Sequence, residues 1–470
     1  MAIPQNDPEL CGIAWANKVI ASGVFHTGRD PQEIFSFSCN WMAAPEEMMR
    51  AALQTKKVDA LLALKPDVVV DKAEGLVSTT LFGRTAYARL NSDQGVCVVD
   101  GPDAPIHFTP RVVPRRAPAK GAGWPAADPV EIEPGATGLA PKALEEAKRL
   151  AFANTFEFTN ALVVLHKGRV VLEHYRDPFD RETRFESWSM GKSIAATLAG
   201  VAIRSGDLSL DEDHLFDAWT GREDPRRKIK LRNLLNMASG LEFTGSFGRE
   251  EDHAVKQKDG LFLDHIYVYA SGVDSHGFCL DKPLADKPGT AGRYRNCDPL
   301  LTMALVRDRC AGGDVERFLS WPQERLYDRI GSTGMVLETD PYGNFLISGH
   351  DYGRAMDWAR LGQLHLNRGA WGGDQIFDER FAEFVRTPAR KAWKHDLYYG
   401  GFFPTNATGL IPTLPRDAFW MSGGGLQRVV IVPSLDLVIV RLGHMAGTIF
   451  GVDKTLNEVY RLLAEAASRA

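Results

Sequence analysis

The sequence predicts an α+β protein. An antiparallel sheet is flanked by helices and joined to a mostly helical lobe, with an extra N-terminal α/β section. Three observations carry this expectation. Two apolar strand patterns, 161–166 and 169–175, are separated only by Lys167-Gly168, which suits a tight hairpin turn. Strand patterns then return near the C-terminus, at 419–421, 428–432 and 437–442. The stretch between them is mostly helix and loop by pattern, so one sheet is expected to form from both ends of the body.

Taken in order, residues 45–53 read as a short helix with acids in its first turn. Residues 68–70, 76–81, 85–90 and 96–99 read as strands of a small sheet in which no chemistry is visible. Prolines then recur at 102, 105, 110, 114, 118, 125, 129, 134 and 141. Proline fixes φ and donates no backbone hydrogen bond, so 101–141 is expected to run as an extended linker. Helical spacing follows at 141–153. An apolar helix begins after Ser189 and stops near Ser205-Gly206. Further short helices are expected at 231–237 and from Asp298 to about Arg309. The stretch 243–285, rich in Gly, Asp, His and aromatics, reads as a loop, either lining a cleft or plain surface. Residues 351–366 read as a helix with Asp351 as its acidic N-cap, and 453–466 as a final helix. The expected divisions are an accessory section at 1–100, a linker at 101–141, an α/β catalytic lobe at 142–206 with 331–470, and a helical lobe at 207–330.

The chain has 470 residues, 44% of them hydrophobic and 24% charged, with a formal net charge of -5. This is a soluble globular composition that asks for neither nucleic acid nor an anionic membrane as partner. The N-terminus has no basic and apolar leader pattern, and no run reaches the about 18 apolar residues of a membrane span, so the cytoplasm is the expected location. The six cysteines form no C-x-x-C pair, which predicts reduced, mostly buried thiols and no zinc site. No Gly-x-Ser-x-Gly or His-Glu-x-x-His occurs. No metal or cofactor is expected. His166, within an apolar strand, reads as a satisfied core or surface residue.

The chemistry begins at Ser189-Met190-Gly191-Lys192. Residues three apart share a helix face, so Ser189 and Lys192 would sit side by side at a helix N-terminus. That pairs a weak oxygen nucleophile with a base, beside free N–H groups and the positive end of a helix dipole. Alone, Ser-x-x-Lys arises by chance about once or twice in a chain this long. Two Tyr-x-Asn patterns could supply a proton-transfer tyrosine. Tyr294-Arg295-Asn296 follows Pro288-Gly289-Thr290 and precedes an apolar helix. Tyr342-Gly343-Asn344 sits in Asp340-Pro341-Tyr342-Gly343-Asn344, which has the composition of a plain turn. Tyr294 is therefore preferred. Near the C-terminus, the glycine-rich stretch Ser422-Gly423-Gly424-Gly425 offers backbone against which a substrate could lie.

Taken together and in this order, these motifs resemble the serine β-lactamase and penicillin-recognising superfamily. Within it they are most similar to class C-like esterases and 6-aminohexanoate-dimer hydrolases. The supporting phrases are Leu-Arg-Asn-Leu-Leu-Asn-Met-Ala-Ser-Gly-Leu at 231–241 and Asp-Trp-Ala-Arg-Leu-Gly-Gln-Leu at 357–364, and the resemblance covers roughly 140–470. It implies an acyl-enzyme mechanism with Ser189 as nucleophile, Lys192 as base, Tyr294 as proton relay and Asn296 as a positioning residue. The oxyanion would lie against backbone N–H groups of Ser189 and the 422–425 strand. Many relatives carry Lys-Thr-Gly or His-x-Gly on that strand. Here the cation that grips a β-lactam carboxylate is missing at that point, which favours a small-molecule ester or amide substrate. The alternatives are a D-amino-acid peptidase or weak β-lactamase, or a ligand-binding sensor that has lost turnover. No pattern in the sequence reports an oligomeric state.

Overall fold

The computed structural model describes residues 2–39, 42, 63–119, 122–153, 157–245, 260–394, 398–445 and 454–470. The helix expected at 45–53 lies outside the described residues.

The central sheet has seven strands, in the order Tyr398–Gly400, Phe403–Thr405, Phe419–Gly423, Gln427–Val432, Leu437–Met445, Glu157–His166 and Arg169–Tyr175. Every pairing in it is antiparallel. The two early strands do join the late ones, through Leu437 opposite His166 and onward to Leu442 opposite Ala161. Lys167 and Gly168 both adopt positive φ, +49° and +72°, the geometry of a two-residue hairpin turn. Two short strands at 398–405 were not anticipated; three residues each carry too little alternation to read.

Strand alternation sorts the core into two layers. Val163, Leu165, Val429, Ile431, Val438 and Val440 face one cluster with the helices Gly191–Ser205 and Ala355–Leu366. Leu162, Val164, Val430, Val432, Leu437 and Ile439 face the other, with Leu144, Leu456, Val459 and Leu463 from the helices Pro141–Ala153 and Lys454–Arg469. The expected helix at 453–466 thus runs on to Arg469.

A second, three-stranded sheet places Asp351–Arg354 between Arg184–Glu186 and Val336–Leu337. This corrects the expectation that Asp351 caps a helix. The helix is Ala355–Leu366, with Arg354 at its N-cap, and Asp351 belongs to the preceding strand. A carboxylate just ahead of an apolar helical pattern looks like a cap in sequence whether or not the chain turns there. The expected cleft loop is also partly corrected. Its described residues include the short helices Asp264–Ala270 and Ser275–Leu280.

The small N-terminal sheet forms as expected, in the order Asp67–Asp71, Leu76–Leu81, Arg84–Leu90, Val96–Val99. An unanticipated helix, Pro8–Ser22, packs on it, with Asp7 as N-cap accepting from Leu10 N. Cys11 through Ser22 are all buried, so the helix has no polar face and no amphipathic period to read. Lys18 on this helix is fully buried, and its Nζ lies 2.9 Å from Glu338 Oε2, also fully buried. Burial alone would raise the Glu338 carboxyl, but Lys18, with His26 and His350, outweighs it and holds the group at about 2. All six cysteines are free thiols. His166 Nδ1 pairs with Thr137 Oγ1 at 2.8 Å, so His166 is a satisfied core residue. No described helix is long and apolar enough to cross a membrane.

Removing one partner of a buried ion pair strands the other. Lys18→Met is expected to lower unfolding free energy by about 3–5 kcal/mol, measured by urea denaturation.

Candidate active site

Ser189 lies in the single 3-10 turn Trp188–Met190, which runs directly into the helix Gly191–Ser205. Gly191 through Ala202 are all buried. The apolar run after Ser189 is therefore a core helix, and the turn sits at its N-terminal end, with Ser189 half-exposed between buried Trp188 and Met190. Trp188 holds φ at +45°. A bulky residue in that region costs on the order of 1–3 kcal/mol and persists only where its surroundings hold it.

Several contacts hold this turn. Ser187 N donates to Asp351 O at 2.8 Å. Asp351 N donates to Ser187 Oγ at 3.2 Å, and that hydroxyl lies 3.3 Å from Asp351 Oδ2. The Asp351 carboxylate packs where a Gly191 side chain would stand: a Cβ there would meet Asp351 Oδ2 at 1.9 Å and Ile347 O at 2.3 Å. From the other side comes Gly423, whose absent Cβ would lie 2.2 Å from Ser187 O and 3.1 Å from Trp188 Cβ. Burial pushes the Asp351 carboxyl well above its ordinary value. Sequence reasoning missed Asp351 because its partners, Ser187 and Gly191, are far away in the chain.

Lys192 is 1% exposed. Its Nζ donates to Asn296 Oδ1 at 2.7 Å and to Ser348 O at 2.8 Å, and lies 3.3 Å from Ser189 Oγ. Asn296 Nδ2 in turn donates to His265 O at 2.5 Å. Burial lowers Lys192 well below the ordinary lysine value, against a smaller opposing pull from Asp351. The half-buried Tyr294 completes the cluster. Its ring centroid lies 4.7 Å from Lys192 Nζ. Burial pushes its hydroxyl up to about 12, against smaller opposing effects of the Ser189 hydrogen bond and the Arg428 charge.

The structure therefore brings Ser189, Lys192, Tyr294 and Asn296 together. Tyr342 is elsewhere. It lies in a turn where Asp340 Oδ1 accepts from Tyr342 N and Asn344 N, and its ring stacks on His107 at 4.3 Å. Ser422 and Gly423 end the strand Phe419–Gly423, and Gly424 and Gly425 begin the turn Gly424–Leu426. Gly425 takes φ +66°. Gly423 and Gly425 are buried, whereas Ser422 and Gly424 are half-exposed. The strand itself carries no cation, but Arg428 pairs opposite Ser422 on the next strand. Its Nη1 donates to Gly423 O at 3.2 Å and to Gln427 O at 2.8 Å. Ser348 was also missed; it contributes a backbone carbonyl, which no residue type announces. Among the described residues, no cluster of three or more His, Cys, Asp or Glu could hold a metal ion.

The family model described as Beta-lactamase matches residues 157–455. No curated protein matches the chain. Similar solved folds include a Bacillus anthracis protein assigned as a 6-aminohexanoate-dimer hydrolase, 20% identical, with a TM-score of 0.53, covering 74% of this chain and 88% of its own. A family VIII carboxylesterase is 17% identical with a TM-score of 0.52, covering 70% and 98%. A penicillin-binding protein homologue from Caulobacter crescentus is 14% identical with a TM-score of 0.52, covering 71% and 99%. At these identities the likeness is one of fold.

Gly191 admits no side chain without displacing Asp351 or the 347 carbonyl. Gly191→Ala is expected to destabilise the protein by about 1–3 kcal/mol, read from the shift in its urea midpoint.

Proposed function

Because the chain belongs to the β-lactamase family, we propose that it is a serine hydrolase that cleaves small-molecule ester or amide bonds through an acyl-enzyme on Ser189. The observation that carries this reading is the surroundings of Lys192. A neutral amine has two hydrogens to give and one lone pair to receive. Asn296 Oδ1 and Ser348 O accept the two hydrogens, and the remaining direction meets the Ser189 hydroxyl. The third hydrogen of an ammonium in that place would have no acceptor except the Ser189 hydroxyl, and no lone pair would be left to take its proton.

The reaction follows from these positions. The Ser189 hydroxyl gives its proton to Lys192 as Oγ attacks the acyl carbon. Negative charge develops on the carbonyl oxygen and is met by backbone N–H groups of Ser189 and of the glycine-rich strand. Just past the end of that strand, Gly424 is half-exposed between buried Gly423 and Gly425, as Ser422 is before them. The proton passes from Lys192 by way of Tyr294 to the leaving alkoxide or amine, and the C–O or C–N bond breaks. Water then attacks the Ser189 ester, with the same groups working in reverse order. Tyr294 suits a relay because burial keeps its hydroxyl protonated across the neutral range. Asn296, tied to His265 O, holds the lysine and transfers no proton.

Wild-type protein is expected to give a burst of nitrophenol from a nitrophenyl ester and to be labelled covalently by a fluorophosphonate. Ser189→Ala is expected to abolish both. A wild-type chain with neither would be a binding protein and not a hydrolase. Tyr294→Phe should cut turnover by about 100-fold or more, while Tyr342→Phe should leave it within twofold; equal effects would move the relay off Tyr294. The reactive form carries neutral Lys192, so it is lost as pH falls through the depressed lysine pKa. Labelling rate should therefore rise with pH to a plateau, with its midpoint well below the about 10.4 of free lysine. Tyr294 should add no falling limb until the pH nears 12.

A further inference from the structure

The N-terminal helix Pro8–Ser22 reaches the nucleophile turn from behind. Trp15, 2% exposed, meets Trp188 edge-on, with ring centroids 6.2 Å apart and planes at 85°. Trp188 immediately precedes Ser189 and is the residue held at φ +45°. Trp188 also lies 6.1 Å from the His350 ring, centroid to centroid, and against the Gly423 backbone. One turn further along the same helix, Lys18 pairs with Glu338. Glu338 N donates to His350 O at 3.1 Å, and Asp351, the residue that holds Ser187, comes next in the chain. One helix thus braces both flanks of the turn, through a ring on Trp188 and through a buried ion pair to Glu338, whose N–H bonds the His350 carbonyl just before the strand Asp351–Arg354. Trp15 and Lys18 both lie outside the span 157–455 matched by the family model.

We infer that Trp15 is a positioning residue for Ser189, and that the N-terminal section is a working part of the active site rather than an appendage. The inference rests on Ser189 being the nucleophile. A tryptophan does not keep a left-handed backbone unaided. Trp15, packed edge-on against the Trp188 ring, restricts the movement that ring would make if φ relaxed to negative values. Such a relaxation would rotate the next residue and carry Ser189 Oγ away from Lys192 Nζ. A 3.3 Å approach leaves little room for that. Trp15 touches no substrate, so its loss should slow acylation while leaving substrate binding nearly intact.

The test uses the full chain and a nitrophenyl ester. Trp15→Ala, Trp15→Phe and Ile20→Ala are compared with wild type for the acylation rate constant per titrated site, for the substrate dissociation constant read from the concentration dependence of the burst rate, and for Tm. Ile20 is equally buried on the same helix. The expected result is an acylation constant at least tenfold lower in Trp15→Ala, with the substrate dissociation constant within threefold. Trp15→Phe, which keeps an aromatic edge, should recover to within threefold of wild type. Ile20→Ala should stay within twofold even where its Tm falls as far. If Trp15→Ala does not fold, Trp15→Leu keeps apolar bulk without a ring and is read by the same criterion. Equal loss per titrated site in the Trp15 and Ile20 variants, or an unchanged constant in Trp15→Ala, overturns the inference. A wild-type protein without a Ser189-dependent burst overturns the nucleophile reading itself, and this inference with it.

Discussion

Everything at the site depends on keeping the Lys192 amine out of water with each of its hydrogen-bonding directions occupied. A lysine in water is an ammonium and no base. Desolvation removes the charge, and a buried amine left without partners would be a heavy cost to folding. Lys192 finds its partners in three places: Ser189 one turn back, Asn296 at the entry to the helix Cys297–Ala311, and the Ser348 carbonyl. Two of the three are more than a hundred residues away in the chain. The partners of Lys192 therefore come together only in the finished fold, where the helical middle closes onto the sheet. This also explains why Asn296 is tied back to His265 O: an amide free to rotate could present its NH2 to the lysine and leave two donors facing each other.

What could be read from the sequence divides along the same line. The central strands, the hairpin at Lys167-Gly168 and the helix after Ser189 are local patterns several residues long, and they were legible. So was Ser189-x-x-Lys192, because a helix turns Ser and Lys onto one face whatever surrounds it. Tyr294 was separable from Tyr342 by local context, since a proline-containing turn with Asp340 and Asn344 at its ends announces itself. Asp351 was not legible. Its carboxylate has the same one-dimensional signature as a helix cap, and only the pairing of 184–186 with 351–354 shows that it faces Ser187. The helices at 264–270 and 275–280 are too short to establish a period. Pro8–Ser22 failed for the opposite reason: it is long enough, but buried on all sides, so its apolar residues mark no face.

That buried helix changes what the chain before the linker means. A section with no visible chemistry reads as an accessory packed against a catalytic body. Yet its contacts are those of an interior. Lys18 and Glu338 are both fully buried, and Asn17 Nδ2 donates to Val77 O at 3.1 Å within the same core. An ion pair without solvent tolerates little change in separation, since neither charge has water to fall back on. The pair ties the helix to the segment at 338, which bonds the His350 carbonyl next to Asp351 and, through Asp351, reaches Ser187.

The three glycines after Ser422 also turn out to have unlike tasks. Gly423 is small because the Ser187 carbonyl and Trp188 pass against it. Gly425 is a glycine because the chain turns there with φ at +66°. The carbonyls of both are occupied by guanidinium groups, Gly423 O by Arg428 and Gly425 O by Arg441 at 2.6 Å. With its neighbours held from both sides, Gly424 is a short stretch of fixed backbone at the rim. A fixed N–H spends nothing on reorganising as charge develops, which a mobile one would have to do in every turnover. Under the proposed mechanism, the arginines beside this strand serve the same end as Trp15 and Asn296, which is to hold the atoms around Ser189 still.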